Sequence, residues 1–164
     1  MKIFISGLPR SGKTTLIKKI YELYKNKISI SGFYTEEILK NNKRIGFEIY
    51  SIDLNQKFIF ASKEIKSNLE YAGYYLFLEN LNKIIDSVNL NSKLILIDEI
   101  GKMEMFSEKF KKFIEKIMEI EINIIATLHR AYINEFSRFG IVYWLEKEKW
   151  NETFQKILKI IENI

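Results

Sequence analysis

The chain has 164 residues, 47% of them hydrophobic, so a single α/β-sized domain spanning 1–164 can bury a sizeable core. It contains no cysteine, which excludes disulfides and thiolate metal sites and fits a reducing, cytoplasmic setting. Net charge is only +5, no apolar run reaches the ~18 residues a membrane span needs, and Met1 leads straight into a strand, so nothing points to a membrane or a signal peptide and little points to nucleic acid.

Residues 2–6 (KIFIS) read as a short strand buried on both faces. A loop of eight residues follows, and from Thr14 to about Asn26 the spacing of Leu16, Ile17, Ile20, Leu23 and Tyr24 predicts a helix. Residues 28–62 differ: three alternating stretches, 28–39, 45–54 and 58–61, are separated by Asn-rich turns and predict an inserted antiparallel meander. A helix is expected at about 77–87, and KLILID at 93–98 is a fully apolar strand ending in acid. Ser107 opens a further helix whose core face is Phe110, Phe113, Ile114, Ile117 and Met118. Strands follow at 122–127 and 140–145, and Asn151 is expected to cap a last helix carrying Phe154, Ile157, Leu158 and Ile161 inward. Strands alternating with helices give a mostly parallel sheet covered on both faces.

The chemistry starts in the first loop. Gly7 to Thr14 read G-L-P-R-S-G-K-T, which fits G-x-x-x-x-G-K-[ST] between a strand and a helix. Gly7 and Gly12 let the backbone approach a phosphate, and the loop amides and the helix N-terminus then converge on its oxygens. Lys13 brings a charge to the β- and γ-phosphates, and the Thr14 hydroxyl faces a Mg²⁺ ion. Asp98 and Glu99 stand at the carboxyl end of the strand 93–98, where open α/β sheets bind ligands. Asp98 is the second metal residue, and Glu99 is placed to take a proton from water aligned on the γ-phosphate. Arg130, after the strand 122–127, is a cation that would neutralise charge on the departing phosphate. The catalytic set is Glu99, Lys13 and Arg130. The nucleotide-binding set is Gly7, Leu8, Pro9, Arg10, Ser11, Gly12, Lys13, Thr14, Thr15, Asp98, Glu99 and Gly101.

Residues 97–107 read I-D-E-I-G-K-M-E-M-F-S, residues 32–38 read G-F-Y-T-E-E-I, and Arg44-Ile45-Gly46-Phe47 follows the first meander turn. Together with the phosphate loop, these blocks resemble the small P-loop nucleoside-triphosphatase family of archaea, thermophilic bacteria and animals, which includes human cancer-related nucleoside-triphosphatase. The resemblance implies a RecA-like sheet with added antiparallel strands and Mg²⁺-dependent hydrolysis of ATP, GTP and other triphosphates to diphosphate and phosphate. It also marks two departures. Arg10 stands where the family's loop usually has Gly, and Asn151-Glu152-Thr153 where the family often has Asn-Arg-Asp.

Other residues carry a structural reading beside a functional one. His129 either polarises the γ-phosphate or is a hydrogen-bonded loop histidine, and Thr127 either meets the attacking water or caps its strand. Glu36 and Arg44 are expected to pair across the meander. Trp144 and Trp150 lie near the expected mouth, and the meander aromatics pack a core or stack on bases. A small-molecule or nucleoside kinase is the alternative enzyme, although the chain has only four Arg residues and no Arg-rich lid. A nucleic-acid-binding module has only the charge and the aromatic strands in its favour. A monomer is expected.

Overall fold

The computed structural model describes residues 1–164. In chain order the elements are β1 (Lys2–Ser6), α1 (Lys13–Tyr24), β2 (Ile30–Lys40), β3 (Lys43–Ser51), β4 (Gln56–Ser62), β5 (Glu70–Tyr71), β6 (Tyr74–Leu76) and α2 (Leu78–Ser87). The second half adds β7 (Leu94–Ile100), α3 (Glu108–Glu119), β8 (Ile124–Leu128), α4 (Ile133–Phe136), β9 (Ile141–Trp144) and α5 (Trp150–Ile161). All nine strands form one sheet in the order β5-β6-β4-β3-β2-β7-β8-β1-β9. From β2 to β9 the neighbours run parallel, and from β2 outward to β5 they run antiparallel.

Strand periodicity of two explains why both faces are covered. On β1, Ile3 and Ile5 pack with α1 and α5, while Phe4 points the other way, toward α2, α3 and α4. On β7, Leu94 and Leu96 share the first face, and Ile95 and Ile97 the second. Asp98 continues the Leu94–Leu96 alternation, so this acid emerges on the side where α1 begins.

The antiparallel part is not a separate insertion over 28–62. Residues Ile30 to Phe33 of β2 pair in parallel with Leu94 to Ile97, and only from Phe33 onward does β2 turn to β3 as an antiparallel partner. One strand serves both halves because its first residues, Ile30 to Phe33, are covered on both faces as a central parallel strand requires, with the one polar side chain, Ser31, satisfied by Asp53. The antiparallel part also runs past 62, through the β5–β6 hairpin. That hairpin turns at Ala72 and Gly73, both with positive φ (51° and 81°), as does the β2–β3 turn at Asn41 and Asn42 (51° and 59°).

Two local expectations are corrected. Helix α5 begins at Trp150 after a 3₁₀ turn at Lys147–Lys149, so Asn151 lies inside the first turn and caps nothing. Leu23 sits on the outer side of α1, 46% exposed, whereas Leu16, Ile17 and Ile20 are buried. Ser107 does cap α3, accepting a hydrogen bond from Phe110 N at 3.1 Å.

Gly32 fixes the junction of β2 with β7. Its φ is +113°, and an added Cβ would lie 1.9 Å from the Leu96 carbonyl oxygen, a backbone atom that cannot step aside. Gly32→Ala is expected to cost about 3 kcal/mol, from a disfavoured φ and forced strand separation, and denaturant unfolding measures it directly.

Candidate active site

The loop after β1 delivers Gly12 to the N-terminus of α1, where Gly12 offers no side-chain cap and the first turn holds no acid. The first amides of α1 are therefore free to meet an anion, and the helix end favours one. Lys13 Nζ donates to the carbonyls of Gly7 (3.2 Å) and Leu8 (3.0 Å), which holds the ammonium over the mouth of the loop. Burial pulls the Lys13 pKa below its ordinary value, Glu99 and Asp98 oppose that shift, and Arg130 adds to it.

Asp98 ties three strands and a helix together. The residue is 1% exposed. Oδ2 accepts from Thr14 Oγ1 (2.8 Å), Thr35 N (3.1 Å) and Thr35 Oγ1 (2.9 Å), and Oδ1 accepts from Thr127 Oγ1 (2.5 Å). The Thr35 contact has a clear origin. The last parallel pair of β2 with β7 is Phe33 with Ile97, and past it the Thr35 amide turns to a side-chain carboxylate instead of a strand carbonyl. Thr14 spends its hydroxyl proton on Asp98, so its oxygen lone pairs remain for a cation.

Glu99 stands beside Asp98 at a bulge. Between the pairs Ile97 with Ala126 and Ile100 with Leu128, β7 has one residue more than β8, and such bulges re-aim side chains next to active sites. The peptide between Asp98 and Glu99 is cis. Burial first, and the Asp98 charge second, raise the Glu99 pKa to about 7, against the pull of Lys13. Glu104 is buried behind it. A Cβ added to Gly101 would lie 2.6 Å from both Glu104 Oε2 and Glu99 Oε1, so the two carboxyl groups flank this glycine. Burial and the neighbouring Glu99 hold Glu104 well above the usual carboxylate range.

Gly7, Gly12, Lys13, Thr14, Thr35, Asp98, Glu99 and Glu104 line one cleft of about 630 Å³ together with Pro9, Arg10, Thr15, His129 and Arg130. A second, more open cleft of about 290 Å³ lies on the other flank of the loop, with Arg10, Ser11, Thr15, Lys147, Trp150 and Asn151 on its walls. No group of three His, Cys, Asp or Glu side chains able to hold a metal exists. The oxygens that meet at the loop are instead one hydroxyl and one carboxylate, Thr14 and Asp98, which would suit an ion that takes one or two protein oxygens and completes its shell with phosphate and water.

A sequence model described as NTPase matches residues 2–158. The chain belongs to the NTPase family. It is 36% identical to the nucleoside-triphosphatase THEP1 of Methanocaldococcus jannaschii, over 98% of this chain and 97% of that one. It is 35% identical to the THEP1 of Thermotoga maritima, over 99% and 96%. Among solved structures it matches THEP1 from the hyperthermophile Aquifex aeolicus with a TM-score of 0.84 at 32% identity, covering 99% of both chains. The solution structure of a human cancer-related nucleoside triphosphatase shares the fold, with a TM-score of 0.77 at 24% identity, over 99% of this chain and 97% of that one.

Within this NTPase fold, most residues singled out from the sequence meet in the larger cleft. Three do not line it: Leu8, which is 56% exposed while its carbonyl takes Lys13; Ser11, which faces the second cleft; and Gly101, which is wedged between the two glutamates. Arg10 keeps the loop's turn by adopting a left-handed φ of 64°, and its side chain is exposed between the two clefts. Arg10→Gly is expected to raise the unfolding free energy by up to about 1 kcal/mol, because it removes the left-handed penalty, and a thermal melt reads the shift.

His129 accepts from Ala131 N at Nδ1 (3.1 Å), and burial first, then Lys102, Arg130 and Lys13, lower its pKa. Trp150 donates Nε1 to Gly12 O at 3.0 Å and packs on Phe154, so its polar edge braces the loop. Trp144 is 45% exposed and lines neither cleft. Glu36 and Arg44 do not pair: Glu36 binds Lys18 and Lys57, and Arg44 binds Glu37 at 3.2 Å. The cause is a bulge at Ile45. Ile38 pairs with Gly46 but Leu39 with Arg44, which turns Arg44 onto the face of Glu37. Sequence reading missed Thr35 altogether. Its only signal was its place inside the block G-F-Y-T-E-E-I.

Proposed function

We propose that this chain is a Mg²⁺-dependent nucleoside-triphosphate phosphohydrolase that acts as one catalytic unit, with little selectivity for the base. The observation that carries the reading is the 2.8 Å bond from Thr14 to Asp98, which locks the end of the phosphate loop to the strand tip bearing Glu99. Family membership supports the same reaction.

In this mechanism the loop amides and the α1 N-terminus bind the β- and γ-phosphates, and Lys13 neutralises them. Thr14 and Asp98 would hold Mg²⁺, which would supply neutralisation of the phosphate charge. Glu99 accepts a proton from water as the water oxygen bonds to the γ-phosphorus. The bond from that phosphorus to the β–γ bridging oxygen breaks, and nucleoside diphosphate and phosphate leave. A carboxylate whose pKa lies at about 7 is a competent base near neutral pH. Arg130, exposed on the cleft wall, offsets charge on the outgoing oxygens. Trp150 and the second cleft flank the loop where a base would project, with Asn151 among its polar lining residues.

Phosphate release should be measured across the common ribo- and deoxynucleoside triphosphates, with Mg²⁺ and after chelation. Release from several triphosphates, abolished by chelation, is expected. Label from the γ-phosphate appearing on an organic acceptor faster than free phosphate would replace hydrolysis by transfer.

A further inference from the structure

Thr14, Asp98 and Glu99 take up only one end of the larger cleft. Its other end is walled by the antiparallel half of the sheet, with Phe47 from β3, Phe60 from β4, Tyr71 and Tyr74 from the β5–β6 hairpin, and the pair Arg44 and Glu37. The phosphate chemistry uses none of these side chains. We propose that this wall is a second ligand site, built for a free nucleobase-bearing small molecule (a nucleoside or its monophosphate) held beside the terminal phosphate. The proposal presupposes the hydrolase reading only in placing that phosphate at the loop.

The wall has the two features that base recognition requires. The first is a pair of planar groups: the half-buried Phe47 ring, tilted 48° against the buried Tyr74 ring at 5.6 Å, and the Arg44 guanidinium 5.0 Å from the Phe47 ring centre. An aromatic ring and a guanidinium plane stack on any base. The second is an edge that both donates and accepts. Arg44 and Glu37 touch at 3.2 Å yet stay 32% and 46% exposed, so unspent guanidinium N–H groups and a carboxylate oxygen are presented together. Bases carry the matching pattern of acceptors and amino donors.

Placement is set by the backbone. In an unshifted register Arg44 would oppose Lys40 and share the face of Glu36; the bulge at Ile45 brings it to the cleft. Thr35, which holds Asp98, and Glu37 lie on one face of β2, about 7 Å apart. A ring on Phe47 with its edge on Glu37 and Arg44 is therefore next to the terminal phosphate. The charges here are few and mixed, Glu37 against Arg44 and Lys102, which is not the dense positive surface a polyanionic strand needs and favours a small molecule.

The test is calorimetric titration of the full chain, loaded with Mg²⁺ and a non-hydrolysable ATP analogue, with adenosine, guanosine, cytidine and uridine in turn. These probes carry no phosphate to compete for the loop. Saturable binding of at least one of them at one per chain is expected, weakened about tenfold by Arg44→Ala and by Glu37→Gln. Phe47→Leu, which keeps most of the packing volume, should weaken it through lost stacking. The proposal is overturned by no saturable binding of any of the four, by binding that all three variants leave unaltered, or by binding seen only with oligonucleotides. Phosphate release from ATP without nucleoside, measured on the same proteins, reports separately on the hydrolase reading.

Discussion

Glu99→Gln is expected to lower kcat for phosphate release by about 10²–10⁴-fold while leaving the affinity for a non-hydrolysable triphosphate unchanged. The amide matches the carboxylate in shape, so Lys13, Thr14 and Asp98 keep their contacts, but it cannot accept a proton from water. The fold should not suffer. Glu99 and Glu104 flank one glycine, and the Glu99 charge adds to the electrostatic cost of ionising Glu104. Removing one charge relieves that repulsion, so the melting temperature of the variant should equal or exceed that of the parent. Stopped turnover with intact binding and intact stability would separate a base from a residue that merely shapes the cleft. Turnover near the parent's would take Glu99 out of the mechanism.

The parts of the site legible in the sequence were those whose geometry is local. The phosphate loop needs only eight consecutive residues between a strand and a helix, and Asp98-Glu99 needs only a strand tip. The contacts that organise the site across the chain were not legible. Thr35 reaches Asp98 from 63 positions away, and it does so because two strands part after Phe33 and Ile97, which no local pattern marks. The bulge at Ile45 is equally silent: Lys43-Arg44-Ile45-Gly46 alternates well enough to read as an even strand, and one extra residue reverses the partner of Arg44. The β5–β6 hairpin escaped because strands of two and three residues show no periodicity. Asn151 misled because Asn is a favoured cap, whereas the 3₁₀ turn before it had already started the helix. Alternation of strands and helices still carried the α/β class, since a fully apolar strand such as Leu94 to Ile97 has to be covered on both sides.

Asp98→Asn tests whether the strand-tip acid holds the metal or only the protein. As a structural hub Asp98 accepts four hydrogen bonds, three of them on Oδ2. An asparagine can keep its oxygen toward the fixed Thr35 amide and turn its NH₂ toward Thr127, whose hydroxyl can accept as well as donate. The network then survives with weaker, uncharged bonds, at a cost of about 1–3 kcal/mol, and the chain should still fold. The negative charge facing the Thr14 oxygen is gone, so the Mg²⁺ midpoint for phosphate release should rise by about 10–100-fold or more, with turnover lost at ordinary metal concentrations. Titrating Mg²⁺ against activity on the folded variant gives the answer. A midpoint that stays with the parent's would mean that Asp98 only positions Thr14 and Thr35, and that the ion draws its protein ligand from Thr14 alone.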